Sequence, residues 1–187
     1  MDLSHFPGIG SLLHHVSGDD HRGEPSSGGR SNASNTLGAL LALEDILLDV
    51  VSGSKADLID EIGQHVESVH GLARGSVAPA LNHRERISST ALGRGVALPH
   101  ARVQGLEQIL LVYLRLRFAI AFDAPDESLV TDVLVLLVPK KAAQEHLDLL
   151  AQASSLLSDA RFRERLHQCQ TPQEAKQLFE SWPAPRG

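Results

Sequence analysis

Residues 84–102 read Arg-Glu-Arg-Ile-Ser-Ser-Thr-Ala-Leu-Gly-Arg-Gly-Val-Ala-Leu-Pro-His-Ala-Arg, and they bring together the parts from which phosphoryl transfer can be built. Gly93 and Gly95 have no Cβ, so the backbone there can come close to an anion. Pro99 fixes its own φ and confines Leu98 to extended conformations, which presents His100 from a stiff strand end. Ser88, Ser89 and Thr90 offer hydroxyls beside the loop. Arg84 and Arg86 lie at the end of an alternating charge run, which is ordinarily a solvated helix end. One of them is a candidate phosphate clamp, and Arg84 is placed in that role. A second imidazole, His146, falls in the first turn of a later helix.

Phosphoryl transfer depends on positioning and charge neutralisation, and neutral imidazole is a competent nucleophile without a strong base. The expectation is reversible transfer onto His100. Arg84 offsets the charge, and His146 either bonds a phosphoryl oxygen or fixes the His100 tautomer. Other chemistries lack their signatures. The chain has no Gly-x-x-x-x-Gly-Lys-Ser/Thr loop, no Gly-x-Ser-x-Gly elbow and no His-Glu-x-x-His helix. A metal held by His100 and His146 finds no carboxylate or cysteine at ligand spacing, so neither metal nor cofactor is expected.

The elements that must position these residues follow from periodicity. Leu37 to Val51 reads as a helical turn and a first strand. Ser54 caps a helix with apolar positions Leu58, Ile59, Ile62, Val66 and Val69, stopped by Gly71. His65 and His70 are read as ordinary surface residues. A second helix is expected over about residues 76–83, with Pro79 in its first turn. Strands follow at 96–98, 109–116 and 133–138, with 118–129 as a polar connection. Glu145-His146 opens a helix whose face runs through Leu149, Leu150, Ala153, Leu156 and Leu157. Asp159 and Thr171 cap two more helices, and Thr171-Pro172-Gln173-Glu174 forms a capping box. Near-continuous apolar strands imply cover on both faces. The fold class expected is α/β (α+β), a single domain with a mixed sheet of about 4–5 strands flanked by helices.

Composition bounds the rest. The chain has 187 residues, 42% hydrophobic and 21% charged, with a formal charge of −6, which suits one globular domain and argues against nucleic acid as a partner. Cys169 is the only cysteine, so no intramolecular disulfide can form. No apolar run approaches the ~20 residues that span a bilayer, and no secretory signal is visible, so a cytoplasmic protein without membrane insertion is expected. Residues 1–36, rich in Gly, Ser, Asp and His, read as a flexible tail whose histidines make no fixed site. The domain is expected over 37–182, followed by a short tail at 183–187.

The segment from Arg84 to Arg102, with Glu145-His146-Leu147 later in the chain, resembles the active-site motifs of the fructose/mannitol-type (type-2) enzyme IIA domains of the bacterial phosphoenolpyruvate-dependent phosphotransferase system. The resemblance runs from about Leu40 to Trp182. It implies a mixed sheet with helices on both sides, His100 as the phosphorylated residue and Arg84 and His146 as its supporting pair. Ser89, Thr90, Gly93, Gly95 and Pro99 shape the binding loop. Ala101 departs from the pattern, because many members have Gly after the histidine. The opening Leu40-Leu41-Ala42-Leu43-Glu44-Asp45 resembles the nitrogen-regulatory branch, whose members take phosphate from a histidine phosphocarrier protein and regulate protein targets. Such a protein is a transfer intermediate in a phosphotransferase chain, not a stand-alone turnover enzyme. The alternatives are a sugar-specific enzyme IIA that passes phosphate to an enzyme IIB, and a binding module that is not phosphorylated.

Overall fold

A computed structural model of the chain describes residues 36–141 and 145–183. In order they form α1 (Thr36–Leu40), β1 (Leu41–Val50), α2 (Lys55–Val69), α3 (Ala78–Ile87), β2 (Ala91–Gly93), β3 (Val96–Ala97), β4 (His100–Val103), β5 (Leu110–Ile120), β6 (Val130–Pro139), α4 (Glu145–Ser158), α5 (Ala160–Gln168) and α6 (Pro172–Ser181). The tail read at 1–36 lies outside the described residues except for its last position, as does all but Pro183 of the stretch 183–187.

The side-chain alternation of β5 and β6 decides the layering. Leu111 and Tyr113 with Leu134, Leu136 and Val138 enter one core together with α1, α4, α5 and α6. Their neighbours Leu110, Val112 and Leu114 with Val133, Val135 and Leu137 enter a second core with α2 and α3. Each buried Leu or Val contributes about 1.5–3 kcal/mol, so these two strands outweigh any surface ion pair. The sheet is mixed, in the order β1-β5-β6-β3-β2, and β4 also pairs with β6. β1 runs parallel to β5, and β5 is antiparallel to β6. Both β3 and β4 run parallel to β6, in one line along its edge. The line breaks at Leu98-Pro99, where proline has no N–H to give. There the Leu98 amide turns to the Thr90 carbonyl at 2.9 Å, and the Pro99 carbonyl accepts from Leu136 N at 2.9 Å.

The caps hold as read. Ser54 accepts from Asp57 N, Asp159 from Arg161 N, and Thr171 from Glu174 N, while Glu174 bonds Gln170 N in return. Three readings need correction. Among the described residues the sheet has six strands and not four or five, because β2 and β4 are too short to show a period. The second helix runs to Ile87, through the charge run that sequence alone places at a solvated end. Strand β5 runs on to Ile120, into a segment read as connection, because Arg117, Phe118 and Ala119 face solvent on an extended backbone. Gly63 brings α2 so close to α3 that a Cβ there would lie 2.9 Å from that of Ala78.

His65 and His70 are not ordinary surface residues either. Both are about one-fifth exposed, and each points Nε2 at the fully buried carboxylate of Asp45, at 3.1 and 3.0 Å. Strand β1 shifts register against β5 between Leu41 and Ile46, and this irregularity turns Asp45 away from the pleat toward α2. On the other face an aromatic series packs edge-on. Tyr113 meets Phe179 at 5.4 Å, Phe179 meets Phe162 at 5.1 Å, and Phe162 meets Trp182 at 5.3 Å.

Asp132, buried on β6, accepts from Tyr113 Oη at 2.7 Å, Thr131 Oγ1 at 2.8 Å and His167 Nε2 at 2.6 Å. Burial works to raise its pKa, but the bonds from His167 and Tyr113 outweigh it and the net direction is down. The bond to Asp132 raises His167 above its ordinary 6.5. A raised histidine stabilises fully below its unfolded value and loses that contribution as pH climbs through its folded value. The lowered carboxylate acts in the opposite sense, losing its contribution only in acid. Wild type should therefore lose stability relative to His167→Gln as pH rises above 6.5. Denaturant midpoints at pH 6 and pH 8 check this, and equal changes in both proteins would contradict it.

Candidate functional site

At the edge of the sheet α3 packs on β4, and the two elements bring Arg84 to His100. The Arg84 Nε–H donates to His100 Nε2 at 3.0 Å, and its Nη1 donates to the Ser88 carbonyl at 2.8 Å. On the other side of the ring, Nδ1 lies 2.9 Å from the Leu98 carbonyl. A carbonyl only accepts, so Nδ1 carries the proton and Nε2 holds the lone pair. Burial pushes the His100 pKa below 6.5. The Leu98 carbonyl opposes this, Arg84 adds to it, Glu85 opposes it, and His146 adds a smaller push downward. The ring is thus neutral near pH 7, its tautomer set by the backbone.

His146 stands near the start of α4, where Leu149, Ala153, Leu156 and Leu157 are buried on the sheet. It lines the same cavity as Arg84, His100 and Arg102, a space of about 350 Å³ that also meets Ile87 and Leu136. Among the described residues no acid lines this cavity, although the chain carries a net charge of −6. With His83 also in its wall, two guanidinium groups and three imidazoles over apolar side chains suit a dianionic group brought in by a larger partner.

The other residues singled out in the sequence go elsewhere. Gly93, Arg94 and Gly95 all have positive φ, at 82°, 55° and 80°, and make the tight turn between β2 and β3. The amides of that turn are already engaged, Arg94 N by Asp126 Oδ2 at 2.7 Å and Gly95 N by Ser128 Oγ at 3.2 Å. The anion this loop holds is the chain's own carboxylate. The Ser128 hydroxyl and the Arg94 and Ser128 amides bring Asp126 down to about 2. Ser89 Oγ donates to the Phe122 carbonyl at 2.8 Å, and Thr90 is bonded to Glu85. Pro99 is buried and immediately precedes β4. None of these five lines the cavity. They set the frame from which Arg84 and His100 meet.

Sequence reasoning passed over Glu85, Lys55 and Arg102. Glu85 is 9% exposed, one helical turn after the buried Leu81, and an acid on a helix's apolar stripe was the available signal. Lys55 Nζ bonds both Glu85 and Asp123, joining α2 to the site's outer support.

Comparison with known proteins agrees with this geometry. The family model described as "Phosphoenolpyruvate-dependent sugar phosphotransferase system, EIIA 2" matches residues 39–182. The chain is 34% identical over 133 residues to a nitrogen regulatory protein of Pseudomonas aeruginosa, covering 71% of this chain and 86% of that protein. It superposes on the crystal structure of nitrogen regulatory protein IIA-Ntr from Neisseria meningitidis with a TM-score of 0.73 and 36% identity, over 77% of this chain and 99% of that one. A chain of the Escherichia coli complex between mannitol enzyme IIA and phosphorylated mannitol enzyme IIB gives a TM-score of 0.62 at 20% identity, over 74% and 96%. At that identity the match shows the shared fold alone.

Proposed function

Because this chain belongs to the EIIA 2 family of the phosphoenolpyruvate-dependent phosphotransferase system, we propose that it is a phosphoryl carrier modified reversibly on Nε2 of His100. The donor in this reading is a histidine phosphocarrier protein, and the output is nitrogen-related regulation of protein targets. The observation that carries it is the pair of bonds on one ring, Leu98 O at Nδ1 and Arg84 Nε at Nε2.

The chemistry balances without an added base. The P–N bond of the donor's phosphohistidine breaks as a P–N bond to His100 Nε2 forms. The donor ring, protonated on its other nitrogen while it carries the phosphoryl group, leaves as neutral imidazole; His100 keeps its Nδ1 proton on the Leu98 carbonyl and its ring takes over the positive charge. Arg84 moves from the lone pair to the phosphoryl oxygens, tethered by its second bond to Ser88. In this reading His146, which lines the same cavity, bonds another oxygen. The unit that does this is 37–182, a reading supported by the family match over 39–182. The identities of 34% and 36% to nitrogen regulatory proteins favour the regulatory branch.

The test is incubation of the chain with phosphoenolpyruvate and the upstream phosphotransferase proteins. An acid-labile mass gain of one phosphoryl group is expected. A wild-type chain that stays unmodified overturns the reading.

A further inference from the structure

Glu85 directly follows Arg84 in the chain, yet its side chain goes into the protein. Its carboxylate accepts from Thr90 Oγ1 at 2.6 Å, from Thr90 N at 3.2 Å to each oxygen, and from Lys55 Nζ at 3.3 Å. A buried carboxylate persists only where such donors replace water. These bonds also close a short loop. Between Glu85 and Thr90 the chain leaves α3 and becomes extended at Ser88, with φ −166° and ψ 142°. The Ser88 carbonyl within that loop is the anchor for Arg84 Nη1. The loop's geometry therefore fixes where the guanidinium can sit.

We propose that Glu85 is a positioning residue for the His100 site: by holding Thr90 it fixes the Ser88 carbonyl, and that carbonyl in turn holds Arg84 against Nε2 of His100. The role rests on phosphoryl transfer at His100 being the function. Lys55 supplies the carboxylate's remaining donor from α2 and is itself shared with Asp123. Glu85 never touches the transferred group; it acts through Arg84. Its negative charge also reaches His100 and partly offsets the pull of Arg84 on the ring's basicity.

Glu85→Gln keeps the shape but gives up one acceptor and the charge. In the full chain, the rate at saturating phosphorylated carrier should fall about tenfold with little change in KM, as for a lost positioning contact. The double variant Arg84→Ala/Glu85→Gln should be no slower than Arg84→Ala alone, because both act through one guanidinium. Nitrogen NMR of the His100 ring should show the Nδ1–H tautomer less populated in Glu85→Gln. Rates within twofold of wild type, losses that multiply in the double variant, or unchanged ring nitrogens would each overturn the proposal. Should Glu85→Gln fail to fold, Thr90→Val removes one donor with the shape kept. A smaller shift of the ring nitrogens in the same direction is expected there, and an unmoved His100 spectrum overturns the proposal. The NMR measurement needs no phosphate, so it separates failure of this role from failure of the carrier function.

Discussion

His100→Ala should take up no acid-labile phosphate under conditions that load the wild-type chain, a loss of more than about 10³-fold, since the accepting atom itself is gone. His83 and His146 also line the cavity, so the variant asks whether either can substitute. The Leu98 carbonyl holds the proton on Nδ1 of His100 and leaves its Nε2 open to the phosphoryl group, so neither neighbour should accept in its place. His100→Gln is the companion variant, because its amide can still donate toward Leu98 and preserves the local shape. Mass spectrometry on intact protein reads both. Label that persists in either variant would move the reactive nitrogen to another residue.

Arg84→Ala should slow transfer by about 10²–10³-fold at saturating donor, the range seen when a fixed donor to developing charge is removed. Two bonds are lost together, Nε to His100 and Nη1 to Ser88. The cavity also loses one of its two guanidinium groups. The His100 ring should become more basic in this variant, because the positive charge that now depresses its pKa is gone. A ring-proton NMR titration checks that direction independently of transfer. Arg84→Lys should recover only part of the rate, since a single ammonium cannot hold the Ser88 carbonyl and the transferred group at once in the planar fork of arginine. A fully active lysine variant would mean that charge alone suffices.

What could be read from residues alone divides along physical lines. Helix starts were legible where a side chain closes a local bond, as at Ser54, Asp159 and Thr171, because the partner amide lies two or three residues on. The long strands were legible because burial on both faces makes them continuously apolar. His100 stood out through Pro99, whose effect on the backbone is also local. Strands β2 and β4 were not legible, since three or four residues carry no period and their pairing with β3 and β6 is set by tertiary contact. The same limit hid Asp45, whose two imidazole partners lie 20 and 25 residues away. It also misdirected the glycine loop. The loop does present amides to an anion, but Asp126, more than 30 residues on, takes the place.

The edge-packed ring at the end of the aromatic series has a practical use. Trp182 is the only tryptophan in the chain, and it closes α6 with its indole against Phe162 and under the guanidinium of Arg165. It is not among the residues around the His100 cavity. Intrinsic fluorescence excited at the indole therefore reports the seating of the last helix on the sheet and is separate from chemistry at the imidazole. One sample can thus give two independent signals, an optical one for unfolding and a mass-based one for occupancy of His100, without any added label.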